Sequence, residues 1–451
     1  MDGWPPCQAQ GHVCAVIEMM DIDTIYKKVK EKGPDEAVVQ LIRDKTSQVR
    51  FSGDSMDLFN RWNGSLITLF VSKGKRVAST TIRDMTALDS EISNLMKICK
   101  EVPETPSFNG INCAEHNYPS VDDARNEVDI QKLAGALMKG SMEGGAERSA
   151  GIVYSRDLDI ELKTGYNHGK QHLTGIEMVV RSFRGDTTGQ ETIHYGPENQ
   201  VDTETAMEIG RNAGKTSSRK IEKVDITPGK YDILLSPYVT GNLISYSSQF
   251  FSAYEVESGL SCFAGKIGAR VASDHVTLED DPLNKSGSGF RIFDEEGTPT
   301  RKNTLINNGT LKTYLHSFST GKNFESSTTG NAGIISPKAW QISLLPGRSK
   351  FEDMVSEIDS GLIINNAWYT RFQDYVNGVF STVPRDGVYL VKNGEIKGLV
   401  SGIRISDSVP EFLRNISHVS KERKNVRWWE EIFPAIMPYV LARNMNISKA
   451  F

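Results

Sequence analysis

Turn signals recur between short runs in which apolar and polar residues alternate, and this restricts the chain to a fold built largely on antiparallel sheet. Asn63-Gly64, Lys73-Gly74, Asn307-Asn308-Gly309 and Asn393-Gly394 each separate two such runs. Asparagine and glycine tolerate the positive φ that tight hairpins need, so each pair predicts a reversal of the chain. Strand patterns fall at 36–43, 48–51, 58–63, 65–72, 76–81, 150–164 and 175–184, and helical spacing of apolar residues at 21–32, 86–101, 129–143 and 203–219. From Pro228-Gly229 onward short strands dominate to about residue 405. The expected class is α+β, a sandwich-like α/β region at the N-terminal side followed by a β-rich C-terminal domain with few helices.

With 451 residues the chain exceeds what one core usually supports. Pro103, Pro106, Pro119 and an Asn-Gly pair interrupt periodicity after residue 101. The expected divisions are an extension at 1–20, an α+β domain at 21–101, a linker at 102–127, a second α+β domain at 128–224 and the β-rich domain at 225–451. No sequence repeat is visible. A net charge of −5 gives no field for phosphate backbones or anionic lipid, so neither nucleic acid nor a membrane is expected as a partner. Five cysteines without CxxC spacing suit neither a disulfide framework nor a zinc knuckle and fit a reducing cytoplasm. The first residues lack a signal-peptide pattern, and Cys7, His12 and Cys14 are expected to lie in a loose tail rather than on a metal.

A helix is expected to follow an apolar strand at 231–235. Ser236 supplies its cap and Pro237 its first residue, and Val239, Leu243, Tyr246, Phe250 and Tyr254 give it one apolar face. Ser261-Cys262-Phe263-Ala264-Gly265-Lys266-Ile267-Gly268 follows. Then come Thr277-Leu278-Glu279-Asp280-Asp281-Pro282, Phe293-Asp294-Glu295-Glu296-Gly297-Thr298-Pro299-Thr300, the segment 305–315 with its asparagine-glycine turn, and 326–330. In this order these segments resemble the TldD/PmbA peptidase family. Glu36-Ala37 and Ala78-Ser79-Thr80-Thr81 are similar to the family's first domain.

Catalytic members of that family carry HExxxH on this helix and a late cysteine as a further zinc ligand. Two imidazoles and a thiolate would hold the metal while the glutamate takes a proton from its water. Here residues 236–259 contain no histidine, their carboxylates are Glu255 and Glu257 at the far end, and no cysteine follows Cys262. Ungapped register puts Ile244, Ser245 and Gln249 where the motif belongs. The resemblance therefore implies the PmbA, or TldE, branch: a subunit without catalytic residues, metal or cofactor that pairs with a zinc-bearing TldD-type subunit and acts on unfolded or small peptides, with a homodimer as the form it could take alone. The alternatives are a metallopeptidase with other ligands, such as His168 and His172, and a modulator of DNA gyrase, the family's older name.

His168 and His172 are four apart, but Gly165 and Gly169 interrupt a helix there, so a polar strand or turn is expected. His275 and His316 are expected to be structural. Asp280, Asp281, Arg371, Arg385 and Asp386 are the candidates for a peptide groove or subunit interface, with structural turns and internal ion pairs as the plainer roles. Trp428-Trp429, with Phe433, Met437 and Tyr439, could anchor an interface or pack under the last helix. Ser319, Ser326 and Ser381 lie in no GxSxG elbow, so a serine hydrolase is not expected.

Overall fold

The computed structural model describes residues 21–119, 121, 128–199, 201–430 and 433–450. The readings at Cys7, His12 and Cys14 lie outside them. Two units of the same order, helix, three strands, helix, make up the first half. The first is α1 (Ile22–Lys30), β1 (Glu36–Gly53), β2 (Ser55–Lys73), β3 (Arg76–Ile82) and α2 (Leu88–Glu101). The second is α3 (Ile130–Glu143), β4 (Arg148–Lys163), β5 (His168–Arg184), β6 (Thr187–Tyr195) and α4 (Thr203–Ser217). Asp21, Asp129 and Asp202 cap α1, α3 and α4 by accepting from backbone N–H groups of the first turn. The six strands form one antiparallel sheet, β3-β2-β1-β4-β5-β6. The central pair runs from Val39 opposite Lys163 to Gly53 opposite Ser149. The stretches 21–101 and 128–224 are thus halves of one sheet, and the duplicated order is a repeat of structure that leaves no repeat in the residues.

All four helices cover one face. Ile25, Val29 and Ile92 pack on Val39 and Leu69, while Leu137 and Ala213 pack on Val49, Val153 and Met178. Helices α3 and α4 touch backbone to backbone: a Cβ on Gly140 would stand 1.9 Å from the Met207 carbonyl oxygen, and one on Gly210 would stand 2.1 Å from that of Leu137. Gly140→Ala is therefore expected to force the pair apart and lower stability by about 1–3 kcal/mol, read as a drop in the thermal midpoint; an unchanged midpoint would show that the contact yields without cost.

The other face, through Val38, Phe70, Ile160 and Leu162, meets Phe290, Ile292 and Phe293 of the second half. The described part of the 102–127 connection is a packed strap. Asn109 N donates to Ser319 Oγ (2.7 Å), Asn112 Nδ2 to Thr298 Oγ1 (2.9 Å) and His116 N to Asn167 Oδ1 (2.7 Å).

The second half is β-rich, and its sheet closes on itself. Strand β7 (Gly229–Leu235) pairs with both β12 (Ser360–Asp374) and β17 (Ala435–Lys449). The ring is completed through β13 (Val379–Lys392) and β15 (Ile403–Ser408). Short strands β8 (Leu278–Asp280), β9 (Asn303–Asn307), β10 (Thr310–Leu311) and β11 (Ile342–Leu344) extend it on one side. The pairs β14 (Glu395–Leu399) on β13 and β16 (Ile416–Val426) on β17 complete it.

The expected hairpins at Lys73-Gly74, Asn308-Gly309 and Asn393-Gly394 are present, with positive φ at Gly74, Asn308, Gly309, Asn393 and Gly394. Asn63-Gly64 is not a turn. It lies inside β2, opposite Lys45 and Asp44, and the reversal comes earlier, at Gly53 with φ +69°. The helix expected over residues 237–254 also breaks. It is α5 (Pro237–Ser247), then a 3-10 turn at Ser248–Phe251, then α6 (Ala253–Glu257). Side chains cause the break by taking carbonyls that the ladder would use: Ser247 Oγ donates to Leu243 O (2.6 Å), Ser248 Oγ to Ser245 O (2.7 Å) and Gln249 Nε2 to Tyr246 O (2.7 Å).

Candidate functional site

Ser236 shapes the start of α5, accepting from Val239 N and donating to Asn365 O at 2.6 Å. The helix packs against β12, β16 and β17 with nearly every residue buried. Ile244 is buried, and the buried Ser245 Oγ accepts from Phe433 N at 2.8 Å. Gln249 is bound back to the helix. These three positions hold an apolar side chain and two satisfied neutral ones, a donor set that does not fit a zinc ion.

Beside this helix stands a cluster the sequence reading did not assemble. Trp368, Trp428 and Trp429 meet edge to face with centroids 5.3–6.1 Å apart. Trp428 is buried, whereas Trp429 is 61% and Tyr369 45% exposed. The Arg385 guanidinium lies 5.0 Å from the Trp368 ring and 5.5 Å from that of Tyr369. Glu430 is buried under the cluster. Its Oε2 accepts from Tyr369 N (3.1 Å) and lies 3.9 Å from Arg371, and its Oε1 has no partner among the described residues. Arg371 also donates to Tyr246 OH (3.3 Å), whose pKa burial raises, with Glu430 adding to the shift. Tyr369 has φ +60°, a conformation L side chains rarely adopt and one that concentrates at functional sites.

Of the five predicted groove residues, Arg371, Arg385 and Asp386 come together here. Asp386 is wholly buried: it accepts from Arg181 Nε (2.9 Å) and NH2 (2.8 Å) and from Asn366 Nδ2 (3.1 Å). Asp280 and Asp281 lie elsewhere. Asp280 is buried in β8, accepts from Trp340 N, Gln341 N and Asn331 Nδ2, and has its pKa pushed up to about 6 by burial. Asp281 sits 3.4 Å from Lys302.

His168 and His172 lie on β5, where residues four apart stand roughly 13 Å from each other, too far to share one ion. Each binds a carboxylate instead: His168 Nε2 to Glu161 (2.7 Å) and His172 Nδ1 to Asp159 (2.8 Å). Among the described residues one set of metal-type donors is close enough to meet an ion, Asp157, Asp159 and His172. It adjoins Lys45 and Arg43 across the ladder from β1, whose positive charge opposes a cation. His316 is buried with its pKa lowered to about 4, and Cys262 is buried with its thiol pushed up to about 12, so the thiol is protonated at neutral pH. Ser319 donates to Ser107 O and accepts from Asn109 N, with no histidine attached.

The site adjoins the seam between the halves. Lys424 Nζ lies 2.9 Å from both Glu191 Oε2 and Tyr238 OH, which also bond to each other, so β6, β16 and the start of α5 are tied together. A trough of about 810 Å³ crosses the helix-bearing face of the first sheet, floored by Lys45, Arg61, Asp157 and Thr174. A second cavity of about 300 Å³ lies at the seam, lined by Phe70, Phe108, Glu296 and Ser317.

Residues 228–449 match the PmbA/TldA metallopeptidase C-terminal domain. A metalloprotease of Methanocaldococcus jannaschii is 27% identical over 222 residues, 48% of this chain and 49% of that one. A TldD-homologue metalloprotease of Buchnera aphidicola is 34% identical over 37% of this chain and 35% of its own length. A PmbA-homologue metalloprotease from the same organism is 24% identical over 53% of each. The chain thus spans about half the length, or less, of these relatives. Among solved structures, TldE from Thermococcus kodakarensis superposes with a TM-score of 0.78 at 21% identity, over 94% of this chain and 99% of that one. A Thermotoga maritima protein described as a candidate modulator of a DNA gyrase gives 0.77 at 20% identity over the same shares. At these identities the likeness shows the fold.

Proposed function

Because the chain belongs to the PmbA/TldD family through its C-terminal domain, we propose that it is a non-catalytic subunit of a cytoplasmic peptidase, pairing with a zinc-bearing TldD-type subunit to enclose unfolded or small peptides. The observation that carries this reading is the occupation of α5 and of the turn that follows it. Where a zinc peptidase of the family presents two imidazoles and a carboxylate, this chain has the buried Ile244, Ser245 tied to Phe433, and Gln249 tied to Tyr246. The neighbouring aromatic cluster offers exposed Tyr369 and Trp429 beside Arg371 and Arg385, side chains suited to an interface or to a peptide backbone. Arg371 and Arg385 are assigned to that wall, and the buried Asp386 to the joint behind it, where it holds Arg181. Asp280 and Asp281 are given the structural role that their bonds to the neighbouring loops support.

Mixing the purified chain with a TldD-type subunit is expected to yield a stable complex that cleaves unfolded peptides, while the chain alone does not. Absence of both complex and activity in the mixture would end this reading. A metallopeptidase with its own ligands makes the opposite forecast. Metal analysis after purification in zinc is expected to give no stoichiometric ion, and stoichiometric zinc that disappears in His168→Ala would establish that alternative. Among the described residues no feature favours gyrase modulation.

A further inference from the structure

The cavity of about 300 Å³ at the seam between the two halves falls in the range in which proteins hold small molecules, roughly 300–1,000 Å³. Much of its wall is apolar, with Phe70 from the first sheet, Phe108 and Ile111 from the strap and Ile334 from the second half. Phe70 and Phe108 meet with their ring centroids 5.9 Å apart. Tyr254, 39% exposed, and Ile335, 78% exposed, border its opening to solvent.

Into this space the fold sets Glu296, which is 8% exposed; its Oε2 accepts from Phe318 N (3.0 Å), and the Asn112 N–H also supports the carboxyl. Among the described residues no lysine, arginine or histidine forms an ion pair with it. The two cations nearby are already held. Lys338 Nζ lies 2.8 Å from Glu295 Oε1, and Lys75 Nζ donates to the carbonyls of Pro106 and Phe108 and to Asn109 Oδ1. The other titratable groups around Glu296 are Asp294 and Glu295 on its own loop, Glu36 from β1, and Tyr254 and Glu257 from α6. The strap adds Tyr118 and His116, whose Nε2 accepts from Asn112 Nδ2 (3.2 Å), and beyond Ser317 stands His316, kept neutral by burial. A buried carboxyl without a counter-charge, facing a cavity walled by aromatic rings, calls for a cation with an apolar body.

We propose that the seam cavity binds an organic ammonium, its nitrogen on the Glu296 carboxylate and its alkyl or aryl part against Phe70, Phe108 and Tyr254. A free amine and the amino end of an apolar peptide offer this same chemistry. Burial holds Glu296 protonated as long as no positive charge stands beside it. On binding, the carboxyl gives that proton to solvent and the carboxylate pairs with the ammonium, so one positive charge enters the cavity as one leaves. The proposal does not rest on the zinc-subunit reading, and its test contains this chain alone.

Isothermal titration calorimetry of the full chain with phenethylammonium is expected to show saturable binding, and 2-phenylethanol, similar in shape but uncharged, should bind about tenfold more weakly or worse. Heats in two buffers of different ionisation enthalpy should reveal a released proton, and the affinity should rise by up to about tenfold from pH 7 to pH 8. Glu296→Gln should lose both the preference for the ammonium and the pH dependence. Ser79→Phe should close the cavity to both ligands, since Ser79 is exposed, lines the cavity and stands opposite Phe70. The dipeptide phenylalanyl-glycine, set beside its N-acetyl form, identifies the source: tighter binding than phenethylammonium assigns a peptide's amino end, weaker binding a free amine. Absence of saturable binding by phenethylammonium overturns the proposal, as does equal binding of 2-phenylethanol by the parent or a folded Glu296→Gln variant that keeps the preference. Loss of binding in Glu257→Gln but not in Glu296→Gln would move the site to the exposed rim and overturn it too.

Discussion

Asp386→Ala should destabilise the protein by about 3–5 kcal/mol, the range for breaking a buried ion pair by removing one partner. The Asp386 side chain has no exposed surface, and it accepts from two nitrogens of Arg181 and from Asn366. Arg181 lies on β5 and Asp386 on β13, so the pair joins the first sheet to the closed sheet of the second half. Its loss leaves a guanidinium that also stacks 5.1 Å from Trp368 without its counter-charge. Asp386 has φ +53°, where alanine adds backbone strain of roughly 1 kcal/mol and asparagine little. Asp386→Asn isolates the charge, and a cycle with Arg181→Met isolates the pair. Denaturation followed by tryptophan fluorescence is a suitable measurement, since Trp368 and its neighbours report the seam. A loss below about 1 kcal/mol in Asp386→Ala would mean that the pair is a passive surface contact.

Local chemistry was legible in the sequence, and partnership was not. Ser236-Pro237 predicts the start of α5, and three of the four glycine turns fall where expected, because caps and turns are decided by a few adjacent residues. Asn63-Gly64 misleads because a turn dipeptide has no force inside a strand held by its neighbour along its whole length, as β2 is by β1. Alternation likewise reveals strands but not their partners, so nothing in the residues joins 21–101 to 128–224 although β1 and β4 form the centre of one sheet. The break after Ser247 is written in Ser247, Ser248 and Gln249, polar residues that compete for helix carbonyls, a signal that the apolar face at helical spacing outweighed. Glu430 and Trp368 are separated by more than sixty positions, and only the pairing of distant strands and loops brings them together. A charged pair such as Arg385-Asp386 reads alike whether it lines a groove or, as Asp386 does, fills a buried joint.

A buried acidic loop sets the pH at which the second half is most stable. In 294–298, Asp294 accepts from the N–H groups of Glu296, Thr298 and Ala332, and burial still pushes its pKa up to about 7. Burial, with Asp294 close by, holds Glu296 well above the ordinary carboxylate range. An acid with a raised folded pKa contributes fully below its unfolded value and loses that contribution as pH rises through the folded value. Above pH 7 Asp280, pushed up to about 6, has largely titrated, whereas Asp294, at about 7, is still giving up its proton. His194 and His316, kept neutral by burial, oppose folding only below about pH 6.5, where the unfolded chain would protonate them. Between pH 7 and 8 the folded chain therefore holds more protons than the unfolded chain, on Asp294 and Glu296. Stability should fall across that interval, by about 1.4 kcal/mol per pH unit for each whole proton that the folded chain holds in excess. In Glu296→Gln, which keeps an acceptor for the Phe318 N–H, the fall should be shallower, what is left coming from Asp294, and the midpoint at pH 8 should exceed that of the parent. The buried thiols Cys99 and Cys262, both raised, add a further decline only above about pH 8, so the comparison is made below it. A parent whose stability is flat from pH 7 to 8, or a Glu296→Gln variant with the same slope as the parent, would show that Glu296 is ionised in the folded chain and that its burial is compensated by contacts other than a proton.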